Sequence, residues 1–216
     1  MLEYEPHIYA VLLLCAILTG MAKSGVPALG TCMAAILAVV IPTKDSVGIL
    51  LLILIAGDIF AVSYYSRHAK ITELRRIAPF VILGIIMGAF VLNAISDDYF
   101  KPVLAFLIAS MLAIDFWSKK SKALMNGKSH NVLRVATGAG AGMASAIGNA
   151  AGPIMSIYFL LMKLPKKEFL GTAAWFFFIV NLCKVPLYIH IDVIRFETAK
   201  MSALAIPFVG IGSFLG

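Results

Sequence analysis

Three charged side chains stand inside otherwise apolar sequence: Lys23, Asp58 and Lys184. A charge at membrane depth is costly, so such residues mark functional sites by default. Asp58 lies in the middle of the apolar run 46–66. It can pair with Lys23 or Lys184, or carry a coupling proton. A structural ion pair between helices is the competing reading for Asp58 and Lys184. Lys184 follows Asn181 by one helical turn and precedes Pro186 and Tyr188.

Lys23 belongs to a glycine-rich break, Gly20-Met21-Ala22-Lys23-Ser24-Gly25, and Gly142-Met143-Ala144-Ser145-Ala146-Ile147-Gly148 resembles it. Pro27 and the pair Gly152-Pro153 fall where new helical runs begin, a favoured place for proline. A helix start presents free N–H groups and partial positive charge. Two such starts facing each other hold an anion, and Lys23 adds a full charge. The expected substrate contacts are Lys23, Ser24 and Gly25 in one break, then Ser145, Gly148 and Asn149 in the other. Asn181 and Lys184 are expected nearby, with Asp58 as the coupling or counter-charge residue. The bland alternative is close helix packing at the glycines, with Lys23 snorkelling to an interface.

Catalytic and cofactor chemistry find no such pattern. His7, His68, His130 and His190 lie near segment ends and form no pair at ligand spacing on one helix. Cys15, Cys32 and Cys183 sit in apolar segments without metal-ligand spacing. No Ser-His-Asp set, P-loop or dinucleotide fingerprint occurs in its required context. The glycines of 138–142 lie in an apolar segment with no preceding strand. Neither enzyme activity nor a cofactor nor a metal is expected.

The elements that must position these residues are apolar throughout. The chain has 216 residues, 61% hydrophobic and 13% charged, with mean hydropathy +0.96. Soluble domains carry about 25% charged residues. Long apolar runs repeat to the end, so a cleaved leader explains the first poorly, and Glu3 and Glu5 precede it. The runs predict nine membrane segments, at 7–22, 26–42, 46–66, 77–95, 99–117, 132–147, 149–163, 168–189 and 199–216. The net charge of +7 sits between the runs, as topology signals and not as a nucleic-acid surface. Twelve of the 18 Lys and Arg fall on one side if segments alternate. That side, with Arg67, Lys70, Lys120 and Lys167, is expected in the cytoplasm, and the amino terminus outside. Asp115, beside Trp117 and Lys119, reads as interfacial.

The chain also repeats itself. After the glycine-rich breaks the halves align at an offset of 123: Pro42 on Pro165, Gly48 on Gly171, Asp58 on Asn181, Tyr65 on Tyr188. With five further residues inserted, Pro79 falls on Pro207, Gly84 on Gly212 and Gly88 on Gly216. The expected organisation is a first half at 1–117, a cytoplasmic linker at 118–131 and a second half at 132–216. Five segments per unit is odd, so the halves enter the membrane in opposite directions, a transporter plan. The counterpart of segment five is missing after Gly216, so a longer natural protein is expected. The segments beside the breaks, 8–20 and 28–41, are shorter than the roughly 20 residues a span needs. Broken or re-entrant helices around a central site are expected there.

These residues resemble a known family. Gly20–Gly25 is similar to the first signature loop of the TauE/SafE sulfite exporter family, also called TSUP. So are Ala56-Gly57-Asp58-Ile59 leading to Tyr65 and Arg67, and Trp175–Phe178 leading to Asn181, Lys184, Pro186 and Tyr188. The likeness covers nearly the whole chain. It implies bacterial and other membrane proteins built from a duplicated unit, linked to transport of sulfite, sulfonates and related organosulfur anions, and a place in the bacterial inner membrane is expected for this chain. The expectation is therefore an all-α polytopic membrane helix bundle of two inverted repeats. Its expected role is a secondary transporter, an exporter, of organosulfur or sulfite-like anions by alternating access. Alternatives are another small carboxylate anion as substrate, or a non-transporting membrane subunit. Expected partners are a small anionic solute and the lipid bilayer; a homo-oligomer is compatible with the sequence.

Overall fold

A computed structural model describes the backbone of residues 5–23, 29–41, 44–120 and 130–216. Among the described residues there are nine α-helices, one 3-10 turn and no strand. They are α1 (Pro6–Lys23), α2 (Leu29–Val40), α3 (Asp45–Tyr65), α4 (Ile71–Ala94), α5 (Asp97–Lys120), α6 (His130–Gly148), α7 (Gly152–Leu161), α8 (Lys166–His190) and α9 (Phe196–Leu215). The chain is a polytopic helix bundle. Among the described residues, α1, α3, α4, α8 and α9 are long and apolar enough to cross a membrane.

Each expected segment has a helix, but several limits differ. The helix α1 runs 18 residues, through Gly20 to Lys23, and is long enough to span. Only α2, with 12 residues, and α7, with 10, are short. The glycine at 20 does not stop α1 because packing against α9 outweighs its weak helix propensity. The helix α4 starts at Ile71, ahead of the expected 77, so Arg75 and Arg76 are helical. Glu73 in its first turn pairs with Arg76 at 2.8 Å and complements the helix dipole. Charge had pointed to a loop where the helix continues into the interface.

Burial sorts the helices. The middle helix α3 is apolar on all sides and buried along most of its length, as an all-round apolar helix must be in a bundle. Large apolar side chains such as Phe90, Phe106 and Phe214 are exposed on the outer helices, facing where acyl chains lie.

Helices α3 and α8 run antiparallel. A Cβ at Gly48, near the start of α3, would meet the Val193 carbonyl just past the end of α8. A Cβ at Gly171, near the start of α8, would lie 2.6 Å from the Tyr65 carbonyl at the end of α3. Two other contacts match in the same way. Gly20 admits the Val209 carbonyl, and Gly212 admits that of Ile17, joining α1 to α9. Gly142 admits the Val81 carbonyl, and Gly84 admits that of Ala139, joining α6 to α4. These glycines are the ones that the sequence alignment of the expected halves pairs: Gly20 with Gly142, Gly48 with Gly171 and Gly84 with Gly212. Small residues let backbones approach in lipid, where the hydrophobic effect offers no drive between helices.

Candidate functional site

The carboxyl of Asp58 is fully buried at the middle of α3. Its Oδ1 is 2.6 Å from Lys23 Nζ, at the end of α1. Its Oδ2 accepts a 2.6 Å hydrogen bond from Asn181 Nδ2 on α8. Gly57 makes the first contact sterically open, since a Cβ there would sit 3.1 Å from Lys23 Cγ. The Lys23 ammonium also lies 5.0 Å from the Phe177 ring centroid, within cation–π range.

A second network surrounds the break between α6 and α7. Asn149 holds φ 54°, the left-handed region in which asparagine is among the tolerated residues. Its Nδ2 donates to the Val47 carbonyl of α3 at 3.0 Å. Its Oδ1 accepts from Lys184 Nζ at 2.6 Å. Lys184 also donates to the Ser145 carbonyl at 3.2 Å, and Tyr188 Oη donates to the Ala146 carbonyl at 2.6 Å. Lys184 and Tyr188, one turn apart on α8, therefore cap the last carbonyls of α6, where a cation is favoured. The break is pinned to both central helices.

Between these networks lies a cavity of about 50 Å³. Thr19, Lys23, Asp58, Ser145, Asn149 and Asn181 supply its polar lining. Ala151 and Gly152 bring the start of α7 to it, and that helix has no side-chain N-cap. Thr19 is fully buried, and its Oγ1 has no hydrogen-bond partner among the described residues. An orphaned hydroxyl in a cavity is one that a ligand can satisfy. Together these groups offer a cation, a hydroxyl donor and a helix start to a small anion.

The cavity lies towards one end of the bundle. Its lining from α3 is Leu54, Asp58 and Ala61, and from α8 Leu170, Ala173, Ala174, Phe177 and Asn181. Because α3 and α8 are antiparallel, Ala61, Leu170, Ala173, Ala174 and Phe177 lie on the Lys166 side of the Asp58–Asn181 contact, and Leu54 lies one turn to its other side. Lys23 also lines a wider hollow of about 380 Å³ with Tyr64, Tyr65 and Ser213, so it stands between the cavity and that hollow. The other end, at Asp45, is packed by Val47, Leu51, Phe100, Leu104, Tyr188 and Val193. Arg195 closes over it with 2.5 and 2.6 Å bonds to both Asp45 oxygens. At the Lys166 end the corresponding pair is Lys70–Glu168, a single 2.9 Å contact.

A model of the family described as sulfite exporter TauE/SafE matches residues 12–216. The chain belongs to the TauE/SafE sulfite exporter family. No curated protein and no solved structure matches it. TauE/SafE proteins are membrane transporters, and the five long apolar helices agree with a multi-pass membrane protein.

Of the residues singled out from the sequence of this TauE/SafE chain, Lys23, Asp58, Ser145, Asn149 and Asn181 line one cavity. Lys184 lies behind Asn149 and Ser145 and does not line it. Gly148 faces away, since a Cβ there would collide with Leu104 of α5. Ser24, Gly25 and Pro27 lie outside the described residues, as do the start of the break before α2, Lys122 and Lys128. The side chain of Asp115 also lies outside them. Asp58 pairs with Lys23 and not with Lys184. Sequence reasoning missed Thr19 and Phe177. Thr19 precedes Lys23 by four residues and so shares its face of α1, a signal that was present.

Proposed function

We propose that the chain is a secondary transporter of small sulfite-like anions in the bacterial inner membrane, working by alternating access of two inverted halves, 1–117 and 132–216, around the Lys23–Asp58 pair. The observation that carries this is the buried Lys23–Asp58 contact of 2.6 Å at the wall of a polar cavity. An anchor or accessory subunit has no use for a buried ion pair beside a buried hydroxyl that no described residue partners, because burying charge is costly. The family supports a sulfite-like substrate. Size supports it too. A water needs about 10–15 Å³ of such volume, so about 50 Å³ holds roughly four heavy atoms, the count in sulfite. A longer sulfonate requires the cavity to widen.

Charge balance supplies a mechanism. Lys23 and Asp58 are neutral as a pair. An anion added alone leaves net negative charge in a low dielectric, which is unfavourable. A proton taken up by Asp58 frees the Lys23 ammonium for a singly charged anion, hydrogensulfite or a sulfonate, and the site stays neutral. Proton and anion then move together, with Asp58 as the coupling residue. Asn181 remains hydrogen-bonded to Asp58 in either protonation state, since its amide both donates and accepts. Asn149 and the start of α7 complete the anion shell. The excess of Lys and Arg at the Lys166 end supports its placement in the cytoplasm, with the amino terminus outside. The cavity in this structure then faces inward, and export begins from it.

Proteoliposome flux tests this reading. Purified protein should move sulfite down an imposed gradient, and Lys23→Ala should slow it by about 10- to 100-fold, the loss of one charged buried contact. Flux equal to that of empty liposomes, or flux unchanged by Lys23→Ala, rejects the proposal.

A further inference from the structure

We infer that the chain forms a second anion-holding cavity on the Asp45 side of Asp58, in which Lys184 is an added cation. The inference rests on the alternating-access reading above and names a site that the present conformation hides.

The present cavity sits on the axis that relates the halves. Three repeat-related pairs line it: Lys23 with Ser145, Leu54 with Phe177, and Asp58 with Asn181. The remaining lining residues of α3 and α8 are Ala61, Leu170, Ala173 and Ala174, all on the Lys166 side. Their partners 123 residues away are Lys184, Val47, Leu50 and Leu51. Those four are now buried, with exposures of 0, 3, 1 and 0%.

In an inverted repeat each half can adopt the conformation of the other, and that exchange turns the cavity to the opposite face. The three axial pairs stay in place. Ala61 is replaced by Lys184, and Leu170, Ala173 and Ala174 by Val47, Leu50 and Leu51. Ala61 and Lys184 are thus equivalent in position and unlike in charge. Lys184 is now held by two neutral oxygens, Asn149 Oδ1 and the Ser145 carbonyl, and has no ion pair with a described residue. A fully buried ammonium bonded only to neutral oxygens among the described residues, with the Asp58 carboxylate beyond contact distance, is an expensive way to cap a helix. The exchange gives it an anion to face. The cavity open to the Asp45 side then holds two lysines, and the one open to the Lys166 side holds one. Anions bind more tightly from the Asp45 face.

Thiol labelling in a background with Cys15, Cys32 and Cys183 replaced tests the geometry without any substrate. Lys44→Cys and Lys167→Cys mark the two faces for a membrane-impermeant reagent. Ala61→Cys should react only from the Lys167 face, and Lys184→Cys only from the Lys44 face. Leu50→Cys, which leaves the cap on α6 intact, should follow Lys184→Cys. Reaction of Leu50→Cys and Lys184→Cys from the Lys167 face, or from neither face, overturns the inference. Sided flux with sulfite tests the charge. Lys184→Gln should raise the half-saturating concentration about tenfold or more from the Lys44 face and less than twofold from the other. Equal changes on both faces reduce Lys184 to a helix cap and overturn the inference. Wild-type protein that carries no sulfite rejects the transport reading instead, and the labelling pattern still decides whether the second cavity exists.

Discussion

Asp58 and Asn181, which align at the 123-residue offset in the sequence, touch each other through a 2.6 Å hydrogen bond. Residues related by an inverted repeat meet only where the axis passes between them. Under the proposed inverted repeat the contact puts the axis at the one buried carboxylate of α3, and the cavity wraps around it. One partner of this contact is an acid and the other an amide, so the pair carries a single titratable charge.

That single charge predicts a pH dependence. Methanesulfonate stays ionised across the working range and serves as the probe. If protonation of Asp58 releases Lys23, wild-type uptake should rise as pH falls. Asp58→Asn mimics the protonated acid and should make uptake nearly flat with pH. An Asp58→Asn profile that still rises on acidification removes Asp58 from the coupling role.

Asn149 should tolerate glycine better than alanine. Both variants lose the bonds to the Val47 carbonyl and Lys184, at about 1–3 kcal/mol for each buried group left unpaired. Alanine adds the strain of a left-handed backbone, about 1–2 kcal/mol. Thermal unfolding in detergent should rank wild type above Asn149→Gly, and that above Asn149→Ala. A reversed order of the two variants would show that the φ of 54° is relaxed without penalty.

Gly20 and Gly142 should be intolerant, and Gly140 should not. A Cβ at either of the first two lands on a backbone carbonyl of the facing helix, whereas at Gly140 its nearest neighbour is Ile154 Cδ1 at 3.8 Å. Gly20→Ala and Gly142→Ala should each cost about 1–3 kcal/mol. Gly140→Ala should be neutral or slightly stabilising, since alanine is the better helix former. Midpoints from the same unfolding assay check all three.

The pairs at the two ends should bias the conformational balance in opposite directions. Arg195→Gln loosens the Asp45 end and should speed thiol labelling of Leu50→Cys. Glu168→Gln loosens the Lys166 end and should speed labelling of Ala173→Cys. Neither effect is expected if the two ends open independently of these contacts.

Much of the fold was legible because lipid imposes a simple rule. Every spanning segment must be apolar and helical, so apolar runs located α1 to α9. The repeat offset placed Asp58 opposite Asn181, and the rarity of buried charge picked out Lys23 and Asp58. What the sequence hid was direction. Lys184 and Gly148 lie within a turn of cavity residues, yet the Lys184 side chain points to α6 and the open face of Gly148 is filled by Leu104 of α5. Periodicity names a face only when one face differs from the rest, and α8 is apolar nearly all round. The length of α1 was hidden for another reason. Gly20 reads as a helix breaker until the Val209 carbonyl that fills its place is known.

The clasps at the two ends also bear on the resting population. A chain with two identical halves would have inward- and outward-facing states of equal free energy, related by symmetry, and would spend half its time in each. Every difference between the halves lifts that degeneracy. Asp45 holds Arg195 with both oxygens, while Glu168 holds Lys70 with one. A preference of 1.4 kcal/mol already gives about a tenfold excess of one state. Under the proposed two-half plan, divergence between the halves is thus the quantity that selection can tune to set which way the empty carrier waits.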